Sequence, residues 1–171
     1  MTKMIKSCAC LLLLAALAAC SPEFNWRQVN NPDAAFSALF PAKPSSHARE
    51  VNLDGIRTTM SMTAAEVHGV LFAVGSAALS SPALVPPALG AMKTAMVRNI
   101  GGTIASEKTV PGPAPYDELV ANGSRNGRPV QLTARFAARG QRVYQAVVIG
   151  APQDAPAEAI DTFLSSFKPG G

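Results

Sequence analysis

Four dipeptides ending in glycine, Asp54-Gly55, His68-Gly69, Asn126-Gly127 and Arg139-Gly140, sit between runs of alternating residues and limit the fold more than any other feature of the chain. Asn-Gly and Asp-Gly are the strongest hairpin signals, because both central residues of the favoured two-residue turn need positive φ. The flanking runs test the register. With Arg139-Gly140 as the turn, Ala138 faces Gln141, Phe136 faces Val143, Ala134 faces Gln145, Leu132 faces Val147 and Val130 faces Ile149. That face is apolar apart from Gln145, which would need a hydrogen-bond partner there. The opposite face pairs Arg135 with Tyr144 and Thr133 with Ala146, and a slip by one residue would destroy the sorting. Across Asp54-Gly55, Leu53 faces Ile56, Val51 faces Thr58, Arg49 faces Met60 and His47 faces Met62, while Ile56 to Ala64 alternate on one side. Beyond His68-Gly69, Val70, Phe72 and Val74 alternate with Leu71 and Ala73 opposite, which predicts a central strand covered on both faces.

Two segments change period. Leu89, Met92, Met96 and Ile100 fall on one helical stripe, predicting a helix over 86–100 with Pro86 or Pro87 in its first turn and Gly101-Gly102 at its stop. A second helix is expected over 155–167, capped by Asp154, with Pro156 in its first turn and Ile160, Phe163, Leu164 and Phe167 as its stripe. The stretch Asp33–Pro41 supports two readings. Asp33 could cap a one-turn helix, or Phe36, Ala38 and Phe40 could alternate along a strand that Pro41 ends. Strands in hairpins, a helix, more hairpins and a helix make an α+β domain: a mainly antiparallel sheet flanked by two helices that bury their apolar stripes on it.

The first nineteen residues are read differently. Lys3 and Lys6 precede an uncharged apolar run, Cys8–Cys20, that is too short for a bilayer span of about 20 residues. A positive start, a short apolar run and a small-residue exit mark a secretory signal peptide. The exit, Leu17-Ala18-Ala19-Cys20, resembles the lipobox of bacterial lipoproteins. That resemblance implies diacylglyceryl transfer to the Cys20 thiol and cleavage before Cys20. Residues 1–19 would then be leader, 20–25 a lipidated tether, and 26–171 a single domain beginning near Trp26. Two or three acyl chains hold a protein on a membrane stably where one does so only marginally. Ser21, not Asp, follows the cysteine, which favours outer-membrane sorting with the domain facing the periplasm.

Composition then excludes some classes. The cysteines are Cys8, Cys10 and Cys20, so a domain after the leader has no disulfide and no thiolate metal site. Without Lys3 and Lys6 the 15 basic residues fall to 13, against 11 acidic ones. So small a surplus makes no electrostatic case for nucleic acid.

The element order carries a further resemblance. A Phe-x-x-x-Phe-Pro element (Phe36–Pro41), a strand meander, a central helix, a second meander and a terminal helix ending in Ser166-Phe167 resemble the PsbP-like family, which includes thylakoid-lumen photosystem proteins and bacterial envelope relatives. The resemblance covers most of the chain after the leader. It implies an antiparallel sandwich, Phe36–Phe40 as a strand, and a non-catalytic accessory or docking role. No metal ligands match residue by residue, so none are carried over.

Candidate chemistry is sparse. His47 and His68 stand on separate turns, short of the three or four ligands a zinc site needs. Val74-Gly75-Ser76 lacks the second glycine of a nucleophile elbow, and Gly101-Gly102 follows a helix instead of opening one. Asn122-Gly123-Ser124 matches a glycosylation sequon but reads as turn chemistry. Asp117 and Glu118 are adjacent, so a strand points them to opposite faces and separates them as an acid–base pair. Arg125, Arg128, Arg135, Arg139 and Arg142 fall in one hairpin region and could meet anionic headgroups, or form a solvated edge. The proline-rich loops Ser81–Pro87 and Pro111–Pro115 read as rigid connectors. No catalytic set, metal or cofactor is expected. The expected function is a lipid-anchored envelope module binding an envelope protein; the alternative is a carrier holding a small apolar ligand between helix and sheet.

Overall fold

The computed structural model describes residues 24–170. The leader, Cys20 and the first part of the tether lie outside the described residues. The elements run β1 (Arg27–Asn31), β2 (Phe36–Phe40), β3 (Ser45–Leu53), β4 (Ile56–Val67), β5 (Val70–Ala78), a 3₁₀ turn (Pro82–Leu84), α1 (Val85–Asn99), β6 (Thr103–Val110), β7 (Tyr116–Arg125), β8 (Arg128–Arg139), β9 (Arg142–Gly150), α2 (Ala157–Ser166) and β10 (Lys168–Pro169). This is an α+β fold, mainly antiparallel, with two α-helices among the described residues.

Two meanders build the large sheet. β3–β4–β5 and β6–β7–β8–β9 join through an antiparallel β5–β9 pair, giving the order β3-β4-β5-β9-β8-β7-β6. A small sheet, β1-β2-β10, has β2 at its centre. It packs with α2 on one face of the large sheet, and α1 crosses β8 and β9 on the other. β5 and β9 are therefore covered on both sides, as the apolar residues on both faces of 70–74 predict. On β5, Phe72 and Val74 enter one core and Ala73 and Ala77 the other.

Three of the four turns have the expected geometry. Asp54 and Gly55, His68 and Gly69, and Asn126 and Gly127 all have positive φ, between 50° and 92°. The β3–β4 register is the predicted one, with Leu53 opposite Ile56, Arg49 opposite Met60 and His47 opposite Met62. The fourth turn differs by one residue. It is Gly140-Gln141, so Arg139 faces Arg142, Phe136 faces Gln145 and Leu132 faces Ile149. Only Gly140 carries positive φ there (57°), as the first central position of a II′ turn requires. The shift moves each pairing by two residues, so every side chain keeps its face and only its partner changes. Gln145 is buried and lies over Gly75, its cross-strand neighbour; a Cβ at 75 would stand 2.9 Å from the glutamine Cγ.

Phe36–Phe40 is a strand, with Phe36, Ala38 and Phe40 buried. The helical reading fails because both edges of the segment are paired: β1, its neighbour in the chain, lies along one edge and the distant Lys168–Pro169 along the other. Polar ties fix the small sheet. The Leu39 amide donates to Ser166 Oγ (2.8 Å), Ser76 Oγ donates to the Ala34 carbonyl (2.7 Å), and the Gly170 amide donates to the Ala35 carbonyl (2.6 Å). Phe24, two residues before the expected domain start, already packs against the core. Phe24 lies against Trp26, whose ring meets Phe72 edge-on, and the Asn25 amide donates to the Pro41 carbonyl.

The helices depart from expectation at their starts. α1 is entered through the 3₁₀ turn that Ser81 caps. α2 starts at Ala157 without a side-chain cap; Asp154 instead closes a turn, its amide donating to the Ala151 carbonyl. The predicted stop at Gly101-Gly102 holds, both amides returning to α1 carbonyls, those of Arg98 and Val97. Gly90 is an exposed position inside α1 with nothing within 4 Å of an added Cβ. Gly90→Ala is therefore expected to raise stability by about 0.5–1 kcal/mol, read as a higher denaturation midpoint.

Candidate functional site

Between the last turn of α2, β10 and the β7–β8 pair the surface opens into a groove of about 420 Å³. Tyr116 begins β7 directly opposite Ala137, and Arg135, Ala137 and Arg139 project along one face of β8. Phe167, Lys168 and Pro169 form the facing wall, because the chain leaves α2 at Ser166 and extends into β10. Phe167 is anchored behind the wall, 6.0 Å from the Tyr144 ring and 6.4 Å from Phe36.

Arg135 is the fixed point of the groove. Its Nε and Nη2 donate to Glu118 Oε1 (3.2 and 2.9 Å), and its Nη1 donates to the Leu164 carbonyl near the end of α2 (2.8 Å). Its guanidinium also lies 4.6 Å from the centroid of the Tyr116 ring, so one side chain ties β7, β8 and α2 together. Lys108 Nζ contacts the other Glu118 oxygen at 2.7 Å. The hydrogen bond from Lys108, with that from Arg135, outweighs partial burial and holds the Glu118 carboxyl below its ordinary range.

Asp117 points to the opposite face, as adjacent strand residues must. Lys93 on α1 contacts Asp117 Oδ2 at 2.7 Å and Glu107 Oε1 at 2.6 Å, clamping the helix onto β6 and β7. Thr109 Oγ1 donates to Asp117 Oδ1 (2.6 Å). For Asp117, partial burial raises the pKa, but the hydrogen bonds from Lys93 and Thr109 prevail and lower it. Both carboxylates thus titrate below their ordinary values of 3.8 and 4.5. Their stabilisation is complete above those unfolded-state values and is lost as pH falls through the folded ones. An Asp117→Asn/Glu118→Gln variant is expected to lose melting temperature less steeply below about pH 4.5 than the parent, in thermal melts across about pH 3–7.

The five arginines do not form one patch. Arg125 faces Arg128 at the β7–β8 turn, and Arg139 faces Arg142 at the β8–β9 turn. β8 runs 12 residues between these turns, which sets them roughly 37 Å apart. Arg142 Nη1 donates to Ser76 Oγ (3.0 Å), and Arg135 is committed to Glu118. His47 lies on exposed β3 and His68 in the β4–β5 turn; among the described residues no three His, Cys, Asp or Glu side chains gather as metal ligands. Asn122-Gly123-Ser124 lies inside β7, not in a turn. Gly123 is there because the end of α1 passes against it: the Ser124 amide donates to the Ile100 carbonyl (2.9 Å), and a Cβ at 123 would collide with that oxygen. Among the described residues no helix is long and apolar enough to cross a membrane.

Sequence reasoning missed the groove, since β7, β8, α2 and β10 each contribute only a few of its residues. The one local hint is Pro169, two residues past the expected end of the second helix at 167.

Comparison with known proteins adds little. No family model matches the chain, and no curated protein matches it significantly. Among solved structures, the crystal structure of PA94, a protein of unknown function from Pseudomonas aeruginosa, is similar at 13% identity over 76% of this chain and 85% of that one, with a TM-score of 0.37. So loose a likeness carries no functional inference.

Proposed function

We propose that this chain is a lipid-anchored bacterial envelope protein whose domain binds a partner and catalyses nothing. The observation that carries the reading is Leu17-Ala18-Ala19-Cys20 standing four residues ahead of Phe24, which packs against the core. A lipid on Cys20 would hold the domain close to the membrane surface. Phe24 and Trp26 lie beside Pro156 and Glu158 at the start of α2, so that end of the domain would face the lipid. A non-catalytic role is supported by the fate of the two adjacent carboxylates, each neutralised by cations on its own face of the sheet. The order of meander, helix, meander and helix, with Phe36–Phe40 as a strand, also suits the PsbP-like resemblance.

Replacing Cys20 by Ser is expected to leave an uncleaved precursor whose membrane fractionation differs from the parent's. Unchanged processing and fractionation would overturn the anchor. Crosslinking in living cells is expected to trap an envelope protein. The groove beside Arg135 favours a second reading, a carrier: if nothing crosslinks and the extracted protein holds a bound lipid, that reading replaces docking.

A further inference from the structure

We propose that the groove between α2, β10 and β8 binds a single-chain anionic amphiphile of the fatty-acid type. Its carboxylate would meet Arg139 and Lys168, and its tail would lie along Tyr116, Ala137 and Phe167. Charge comes first. The groove is lined by Arg135, Arg139 and Lys168 and by no carboxylate. Arg135 is already neutralised by Glu118, whereas Arg139 and Lys168 have no acidic partner among the described residues. Arg139 also stands directly opposite Arg142, and like charges at facing positions of a hairpin destabilise it. Arg142 spends its own hydrogen bond on a serine hydroxyl, which leaves that repulsion uncompensated. An anion seated between Arg139 and Lys168 relieves it and accepts charge-assisted hydrogen bonds.

The walls then select among anions. Apart from the cations and Ser165, the lining is Ala114, Tyr116, Ala137, Phe167 and Pro169. Inorganic phosphate would satisfy the cations and leave this apolar wall wet. A neutral hydrocarbon would cover the wall and leave the cations unanswered. An amphiphile does both, and about 420 Å³ falls within the roughly 300–1,000 Å³ that ligand pockets occupy. The groove also sits at the C-terminal end of α2, about 15 Å from the end where Phe24 and Trp26 pack, so membrane attachment leaves it open.

The inference rests on the carrier form of the binding reading and not on the anchor, so a chain without lipid on Cys20 could still take up the ligand. The test is photolabelling of the full chain, purified in mild detergent, with dodecanoate bearing a diazirine near the end of its tail, followed by peptide mapping. Label is expected in peptides containing Ala114–Tyr116 and Ser165–Pro169. Dodecanoate should compete, with dodecanol about tenfold weaker and inorganic phosphate without effect. The Arg139→Ala/Lys168→Ala variant should lose about tenfold in labelling while melting like the parent, and Arg128→Ala, at the far end of β8, should label normally. Absence of label, label elsewhere, equal competition by dodecanol, competition by phosphate alone, or undiminished labelling of a folded double variant would each overturn the proposal.

Discussion

Phe163→Ala is expected to lower the free energy of unfolding by about 3–5 kcal/mol. Phe163 is fully buried in α2, and its ring lies 5.3 Å from that of Phe40 and 5.5 Å from that of Phe72, both edge-on. Those three rings come from α2, the small sheet and the large sheet, so the truncation leaves a cavity where three separate elements meet. The site has little room to collapse. Neighbouring Leu164 and Ala159 hold the helix in register, and Leu39 is tied to Ser166 by a hydrogen bond. Chemical denaturation should show a lower midpoint with an unchanged slope. A loss below about 1 kcal/mol would mean that α2 does not pin the small sheet to the large one.

Gly123→Ala is expected to cost about 3 kcal/mol, the upper end of what overpacking usually costs. The added Cβ would meet the Ile100 carbonyl oxygen, with the Ile100 carbonyl carbon and Gly102 Cα both at 3.0 Å. Every one of these atoms is backbone, so no side chain can rotate away. The strand must leave the end of α1, and the Ser124 amide then loses its bond to Ile100. Ile100, fully buried at that junction, would move with it. Gly90→Ala is the control, because a methyl added to open space within α1 itself should stabilise. A Gly123→Ala variant as stable as the parent would mean that the helix end and β7 are not in contact.

Much of this fold can be read locally. The turns at 54–55, 68–69 and 126–127 follow from residues that tolerate positive φ, and alternation assigns the faces. What local pattern cannot supply is the partner. The Arg139-Gly140 and Gly140-Gln141 turns put the same side chains on the same faces, so the apolar sorting cannot distinguish them; the choice rests on where one glycine takes its positive φ. Phe36–Phe40 stays ambiguous until β1 and the distant Lys168–Pro169 supply its edges. The asparagine of 122–124 suggests a turn, but the glycine serves a helix end more than twenty residues earlier in the chain. The arginines are close in sequence but separate in space, because their two turns stand at opposite ends of the long β8. The groove is the least legible feature, since Tyr116, Arg135, Phe167 and Lys168 meet only after α2 has docked.

An intact mass spectrum of the protein purified from its native membrane tests the anchor most directly. The expected species begins at Cys20 and carries the added mass of two or three acyl chains. A species beginning at Met1, or one with an unmodified cysteine, would contradict it.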